Sequence, residues 1–304
     1  MKQVSIIIVT YNSEKDIFDC VDSIQRQADI PLKDIELIIV DNCSRESEPM
    51  FERLRQLWGE DIVLIENTQN GGYGQGNNVG IRKATAPVIL IMNPDVRLIE
   101  PVFRYCLEQF TLHKSLVLYG FTQRQPDGRI GRATSWLSTI HPYIAEPLRF
   151  VTGKLNLFFP KYMYVTGACF FLRRATFEQV GLFDEHIFMY GEEEDIHDRL
   201  LTIEGVTMGY ARHLSYLHLH EAPKDFGKET HDWMERNLET LCYVHRKKGI
   251  PLKTTVNWAI MRNNISIWKE KVKTLITNGA NKDRLDYYCA WKKKLESKLK
   301  SVQA

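Results

Sequence analysis

Val88-Ile89-Leu90-Ile91-Met92-Asn93-Pro94-Asp95 is a run of five apolar residues closed by a proline turn and an acid. A run without alternation predicts a strand covered on both faces, as in a parallel sheet. Proline removes a backbone donor and biases the residue before it toward extended geometry, so the strand is expected to stop at Asn93 and leave Asp95 on a rim loop. That rim is where open α/β sheets bind ligands, and a carboxylate there suits a divalent metal. Asn-Pro-Asp is also ordinary turn chemistry, so the segments around it have to decide.

Upstream, apolar runs alternate with helical patterns, the signature of βα units. Val4 to Val9 reads as a buried strand, followed by the turn Thr10-Tyr11-Asn12. Ser13 and Asp16 then have capping-box spacing before Ile17, Cys20, Val21 and Ile24 recur at helical intervals. A second strand, Ile35 to Val40, delivers Asp41 at its end. A third, Ile62 to Ile65, leads into Asn70-Gly71-Gly72-Tyr73-Gly74-Gln75-Gly76-Asn77-Asn78 and a short helix. Downstream, Val117 to Phe121, Val165 to Leu172 and Tyr216-Leu217 read as further strands. The stretch 123–160 has no clear period and is too long for a structureless loop, so short strands or an excursion toward an acceptor are expected there.

From His231 onward the pattern is helical. Trp258, Met261, Ile265, Trp268, Val272 and Leu275 alternate spacings of three and four, which predicts an apolar stripe. It is expected to pack on the preceding domain, to form a dimer or to lie on a membrane. The expected division is a domain over residues 1–225 and a helical extension over 226–304.

The chain has 304 residues, 44% hydrophobic and 26% charged, which is a globular composition. It carries no apolar run near the ~18 residues of a membrane span and no leader pattern, so a cytoplasmic location is expected, peripheral at the inner membrane face if the stripe meets lipid. Six scattered cysteines without a Cys-x-x-Cys pair argue against structural zinc and against a disulfide framework. Net charge is +2, yet residues 251–304 hold 12 Lys and Arg against 4 Asp and Glu, leaving −6 on the rest. No nucleic-acid recognition motif accompanies that basic tail, so an acidic lipid or saccharide partner is the better expectation.

Several residues could carry chemistry, each with a plainer account beside it. Asp41 either caps the next helix or accepts a hydrogen bond from a nucleobase. The glycines of 71–76 superficially resemble a dinucleotide fingerprint. They follow the third strand and not the first, so they are expected to let the backbone approach a ligand, with Asn77 and Asn78 opening a helix whose free amides favour anions. Glu192-Glu193-Glu194-Asp195 is either a solvated helix start or a cluster whose repulsion raises the pKa of a general base. On a helix Glu192 and Asp195 share a face, which leaves Glu193 free for a different task. His218 and His220 would project the same way from a continuing strand, and one of them could complete a metal site with Asp95.

Taken in order, Thr10-Tyr11-Asn12-Ser13, Asp41-Asn42-x-Ser44, Asn70-Gly71-Gly72 to Asn78, Asn93-Pro94-Asp95, Thr166-Gly167-Ala168-Cys169, Phe183-Asp184-Glu185 and Met189-Tyr190-Gly191-Glu192-Glu193 resemble glycosyltransferase family 2, and within it a rhamnosyltransferase-like branch. The resemblance spans residues 3–225 and implies a donor-binding half to about residue 120 and an acceptor half from about 121 to 225. It implies an α/β fold of the GT-A type, with a mostly parallel nucleotide-binding sheet flanked by helices. It also implies a dTDP- or UDP-sugar donor, Mg2+ or Mn2+, and inversion at the anomeric carbon.

By that resemblance Thr10, Tyr11, Asn12, Asn70, Gly71 and Asn78 line the donor site and Asp41 reads the pyrimidine. Asn93 and Asp95 occupy an Asp-x-Asp position, with Asp95 and His218 on the metal. Glu193 takes the place of the catalytic aspartate, and Glu192 replaces it if the register shifts. The implied acceptor is a saccharide or lipid-linked saccharide of a surface polysaccharide. Asn at 93 and Glu at 193 depart from the family pattern and leave, as the alternative, an inactive nucleotide-sugar-binding protein of the same fold.

Overall fold

The computed structural model describes residues 1–219, 228–276 and 282–303. These fall into two compact units. The first runs from Met1 to Ser135 and resumes at Thr152; the second holds Trp136–Val151 and the C-terminal helices.

In chain order the elements are β1 (Val4–Thr10), α1 (Glu14–Arg26), β2 (Ile35–Asp41), α2 (Ser47–Trp58), β3 (Val63–Glu66), α3 (Gly72–Ile81), β4 (Val88–Met92), β5 (Val96–Leu98), α4 (Phe103–Leu112), β6 (Leu116–Arg124), β7 (Thr134–Trp136), α5 (Pro142–Lys154), β8 (Met163–Val165), β9 (Cys169–Arg173), α6 (Arg174–Gln179), α7 (Glu192–Leu201), β10 (Thr207–His218), α8 (Lys228–Lys247), α9 (Leu252–Ile276) and α10 (Lys282–Gln303). The period-free stretch therefore contains β7 and α5.

Eight strands form one sheet in the order β3-β2-β1-β4-β9-β6-β10-β5. The first four run parallel, β9 runs antiparallel to both β4 and β6, and β10 is parallel to β6. Strands covered on both faces need apolar side chains at every position, and β4 has them throughout. Along β1, Ile6 and Ile8 pack with Ile17, Val21 and Phe103 on one face, while Ile7 packs with Ile81, Phe177 and Ile196 on the other. Where polar residues interrupt the runs they find partners. Ser5 donates to Glu36, which also accepts from the Thr85 amide and hydroxyl.

This order places the functional end. The C-terminal ends of β1, β2, β4, β6 and β10 and the N-terminal end of β9 share one rim, where Thr10 pairs with Asp41, Asn93 donates to the Ala168 carbonyl and His218 pairs with Val96. Open α/β sheets bind ligands at this rim.

Three local expectations are corrected. Ser13 is the N-cap residue of α1, but its hydroxyl makes no cap bond and instead exchanges hydrogen bonds with the Tyr11 backbone, which tightens the β1–α1 turn. The segment 165–172 is not one strand. It breaks at Thr166-Gly167-Ala168, where Thr166 donates from its backbone to Ala133.

The glycines of α3 meet protein atoms and not open space. A Cβ on Gly76 would lie 2.7 Å from Val9 and one on Gly80 2.6 Å from Ile7, so these residues let the helix backbone lie against β1. Gly72 is the most constrained, with φ of +88° and 2.1 Å between an added Cβ and the Phe188 carbonyl oxygen. Gly72→Ala is expected to destabilise the fold by about 3 kcal/mol through combined strain and overpacking, read as a lower urea midpoint at unchanged slope.

In the second unit α9 packs against α8 and α10. The face it buries is Val256, Asn263, Ile267 and Glu270, with Ala259 and Ile260 packed against Leu238, Trp291 and Leu295. The expected Trp258-to-Leu275 stripe is thus not the seam, and Trp268 is 65% exposed and Leu275 82%. Asn263 and Glu270 sit in the true seam and disguise its spacing of three and four. The fully buried His245 ties the unit together, with Nδ1 at 2.8 Å from the Thr255 hydroxyl and Nε2 at 2.8 Å from the Ser138 hydroxyl. Among the described residues no helix is long and apolar enough to cross a membrane.

Candidate active site

A cavity of about 530 Å³ opens on the rim, lined by Tyr73, Asn93, Asp95, Gln123, Arg132, Thr166, Gly167, Ala168, Met189, Tyr190, Glu192, Glu193 and His218. Five of the residues singled out from sequence (Asn93, Asp95, Glu192, Glu193 and His218) meet there, from three separate stretches of the chain. The position of Trp136, Tyr162 and Tyr164 in the sequence suggests a pocket role, but none of them lines this cavity.

Asp95 is held by its backbone. The Asn93 amide donates to Ala168, and the Asp95 carbonyl accepts from the Leu219 amide at 3.0 Å. The short strand β5 that follows pairs with the end of β10, so the proline turn is clamped against His218 and its Nε2 lies 3.2 Å from Asp95 Oδ2. His220 lies outside the described residues.

One carboxylate and one imidazole converge here, and no group of three or more His, Cys, Asp or Glu among the described residues could hold a metal alone. That donor set fits Mg2+ or Mn2+ in the manner of cations bound by one or two protein groups and completed by phosphate oxygens and water. Asp95 and His218 would hold the ion.

The acidic cluster is resolved by distributing its charges. Tyr190 and Gly191, both at positive φ, turn the chain into α7 so that its first residues point at the cavity. Asp195 pairs with Arg199 at 2.7 Å. Glu193 Oε1 accepts the Gly167 amide at 2.7 Å, which explains why β8 and β9 are separated: the break turns that N–H toward the carboxylate. Glu192 is 2% exposed and its Oε1 has no hydrogen-bond partner among the described residues.

Burial pushes both carboxyls above their usual range. For Glu193 the effect is opposed by the backbone amides of Glu193, Gly167 and Gly191, and for Glu192 by those of Glu192 and Tyr190, while the charge of Glu193 raises Glu192 further. Hydrogen bonds to the charged form favour ionisation, and Glu193 has one more of them than Glu192, so within the pair its carboxyl is the less raised. Tyr73 completes this wall; its hydroxyl donates to the Gly167 carbonyl and its ring packs edge-on against Phe183.

The nucleoside-side residues divide into exposed and buried groups. Tyr11 is 53% exposed, and the Asn12 amide donates to the Ser44 hydroxyl at 2.7 Å. Thr10 and Asp41 are fully buried, and the Asp41 carboxylate accepts from the Thr10 hydroxyl and from the Ser44 amide and hydroxyl. It does not cap α2, which begins at Ser47. Asp41 thus holds the Tyr11–Asn12 turn through Ser44, whose hydroxyl accepts from the Asn12 amide.

Asn70 accepts from the Gly72 amide and from Asn42, fixing the Gly71 bend before α3. Asn78 does not open α3 but lies inside it, buried, exchanging hydrogen bonds with the Phe183 backbone and donating to Glu185. It staples α3 to the segment that leads into α7. Sequence reasoning missed Tyr73, Gln123 and Arg132 as lining residues. Only Tyr73, flanked by glycines at 72 and 74, carried a local signal.

A family model described as glycosyl transferase family 2 matches residues 5–181. Among curated proteins, the low-salt glycan biosynthesis hexosyltransferase Agl10 of Haloferax volcanii is 28% identical over 236 residues, covering 72% of this chain and 67% of that protein. The poly(ribitol-phosphate) beta-N-acetylglucosaminyltransferase TarS of Staphylococcus aureus is 32% identical over 96 residues, 31% of this chain and 16% of that one. The chain thus spans two thirds of the first and under a fifth of the second. Among solved structures, the mannosyltransferase PcManGT of Pyrobaculum calidifontis in complex with GDP-Man and Mn2+ superposes with a TM-score of 0.58 at 16% identity, over 99% of this chain and 86% of that one.

Proposed function

The chain belongs to glycosyltransferase family 2 and has its GT-A fold, and on that footing we propose that it moves a sugar from a nucleotide-sugar donor to a hydroxyl of a saccharide or lipid-linked saccharide in surface-glycan synthesis, with inversion. The observation that carries this reading is the shared cavity of Glu193, Asp95 and His218, which joins a candidate base to a candidate diphosphate anchor.

In the proposed reaction Glu193 accepts the proton of the acceptor hydroxyl as that oxygen attacks the anomeric carbon. The bond from that carbon to the diphosphate oxygen breaks with the electron pair leaving on the nucleotide. Attack opposite the leaving group inverts the centre, and no covalent enzyme intermediate forms. Glu192, kept protonated by burial and by its neighbour, leaves a single ionised carboxylate beside the nucleophile. Mg2+ or Mn2+ bound at Asp95 and His218 would supply charge neutralisation to the diphosphate. Tyr11 and Asn12 present the exposed turn for the nucleoside, and Asn93 lines the cavity beside the diphosphate.

The named activities of the two relatives and the GDP-Man and Mn2+ held by the mannosyltransferase support this class of donor and ion. We propose a dTDP- or UDP-sugar as donor, with dTDP-rhamnose first among them. The test is a screen of nucleoside diphosphate release over dTDP-rhamnose and the common UDP and GDP sugars, with Mn2+ and with chelator. Release from one donor that stops with chelator is the expected result; silence on all of them contradicts the proposal.

A further inference from the structure

The exposed apolar surface of the second unit is concentrated on α5. Tyr143 is 54% exposed, Ile144 56%, Leu148 38%, Phe150 65% and Val151 47%. At about 100° per residue these positions, with Pro147, occupy one arc of about 160° on the helix. Every residue on that arc between 143 and 151 is apolar. The opposite side is turned inward, with Ala145 3% exposed. The two charged residues of this stretch, Glu146 and Arg149, are also turned inward and pair with each other at 2.9 Å. An amphipathic surface helix in a globular protein normally shows the reverse, with its polar face outward.

The last turns of α9 repeat the pattern. Trp268, Val272, Leu275 and Ile276 are exposed, interleaved with Lys269, Lys271 and Lys273. Lys269 reaches Glu146 of α5 at 3.2 Å, which joins the two strips. The acids nearby are paired, the half-buried Glu146 with Arg149 and Lys269, and the buried Glu270 with Lys273. The surface thus presents apolar side chains rimmed by cations.

We infer that this face of α5 and the end of α9 seats the protein on an anionic lipid surface, with the apolar arc in the headgroup–acyl boundary and the lysines of α9 at the phosphates. Three features select lipid. The arc is the outer side of a helix and not a groove, so it suits a soft plane better than a peptide. Its aromatic and aliphatic residues next to basic ones form the composition of interfacial helices. A twofold contact between two copies would also bring the same lysines against their own images, whereas anionic headgroups complement them. The surface belongs to the second unit and takes no part in the transfer chemistry.

The test is co-sedimentation of the full chain with vesicles of phosphatidylcholine containing about 30% phosphatidylglycerol, against phosphatidylcholine alone. The expected result is at least tenfold stronger partition onto the anionic vesicles, weakened by salt. The double variant Ile144→Gln with Val151→Gln is expected to lose at least tenfold of that partition. Its melting temperature and its nucleotide-sugar turnover without vesicles should be unchanged. Lys271→Glu is expected to reduce both the partition and its salt dependence.

A wild-type chain that stays in the supernatant, or a double variant that pellets as well as wild type, overturns the inference. So does a sedimentation-velocity dimer that the double variant dissociates, because the face would then be a self-contact. Loss of all donor turnover with intact vesicle binding would instead count against the transferase reading alone.

Discussion

Glu193→Gln is expected to abolish transfer, lowering turnover by about 10²–10⁴-fold, while donor affinity measured by calorimetry stays within about twofold of wild type. The substitution keeps the shape of the side chain and the acceptor for the Gly167 amide, but removes the basic lone pair. Since burial lifts the Glu193 carboxyl above the ordinary carboxylate range, wild-type turnover should fall on its acid side at a higher pH than an exposed glutamate would give.

The sign for stability is opposite. A folded-state pKa above the unfolded value favours the folded chain below the unfolded pKa, and this contribution is lost as pH rises through the raised one. Catalysis therefore needs the form of Glu193 that the fold tolerates least. The Gln variant should accordingly melt at or above the wild-type temperature at neutral pH, which separates a lost base from a lost fold. Undiminished turnover in Glu193→Gln would remove the base assignment.

Asp95→Ala should act on a different step. It removes the carboxylate 3.2 Å from His218 while leaving the backbone bond to Leu219 in place. The expected result is a loss of about 10²–10³-fold in turnover, the scale of one deleted electrostatic contact to a developing charge. Nucleoside diphosphate affinity should fall at least tenfold in the presence of Mn2+. With chelator the variant and wild type should bind alike, because the missing group acts only through the ion. Equal losses under both conditions would mean that Asp95 organises the pocket and does not anchor a cation.

Much of the donor half could be read from sequence because its signals are local. β4 is an unbroken apolar run, and β1 and β2 are apolar runs interrupted inside only by Ser5 and Glu36, which pair with each other. The Asn-Pro-Asp turn was legible for the same reason, since proline fixes where the strand must end. What was not legible depends on pairing between distant segments. β5 is three residues long and exists only because β10 comes back beside it. The break at Gly167 has its cause in Glu193, 26 residues away.

Asn78 was misplaced because an asparagine next to glycines looks like a helix start, whereas its two polar groups are spent on Phe183 and Glu185 across more than a hundred residues. In α9 the stripe leaves the seam toward its C-terminal end: Trp268, Val272 and Leu275 lie on the outer face, and the seam passes through Asn263 and Glu270, which no hydrophobicity rule selects. Arg132 enters the cavity on a loop with no periodicity, so only the structure could have placed it.

The most direct test of the account is a crystal of this protein soaked with Mn2+ and UDP and examined for anomalous scattering at the metal. The account predicts one strong peak against the Asp95 carboxylate and the His218 ring, with the diphosphate on it and the base at the Tyr11–Asn12 turn. A corner without metal, or a nucleotide bound away from this rim, would contradict it.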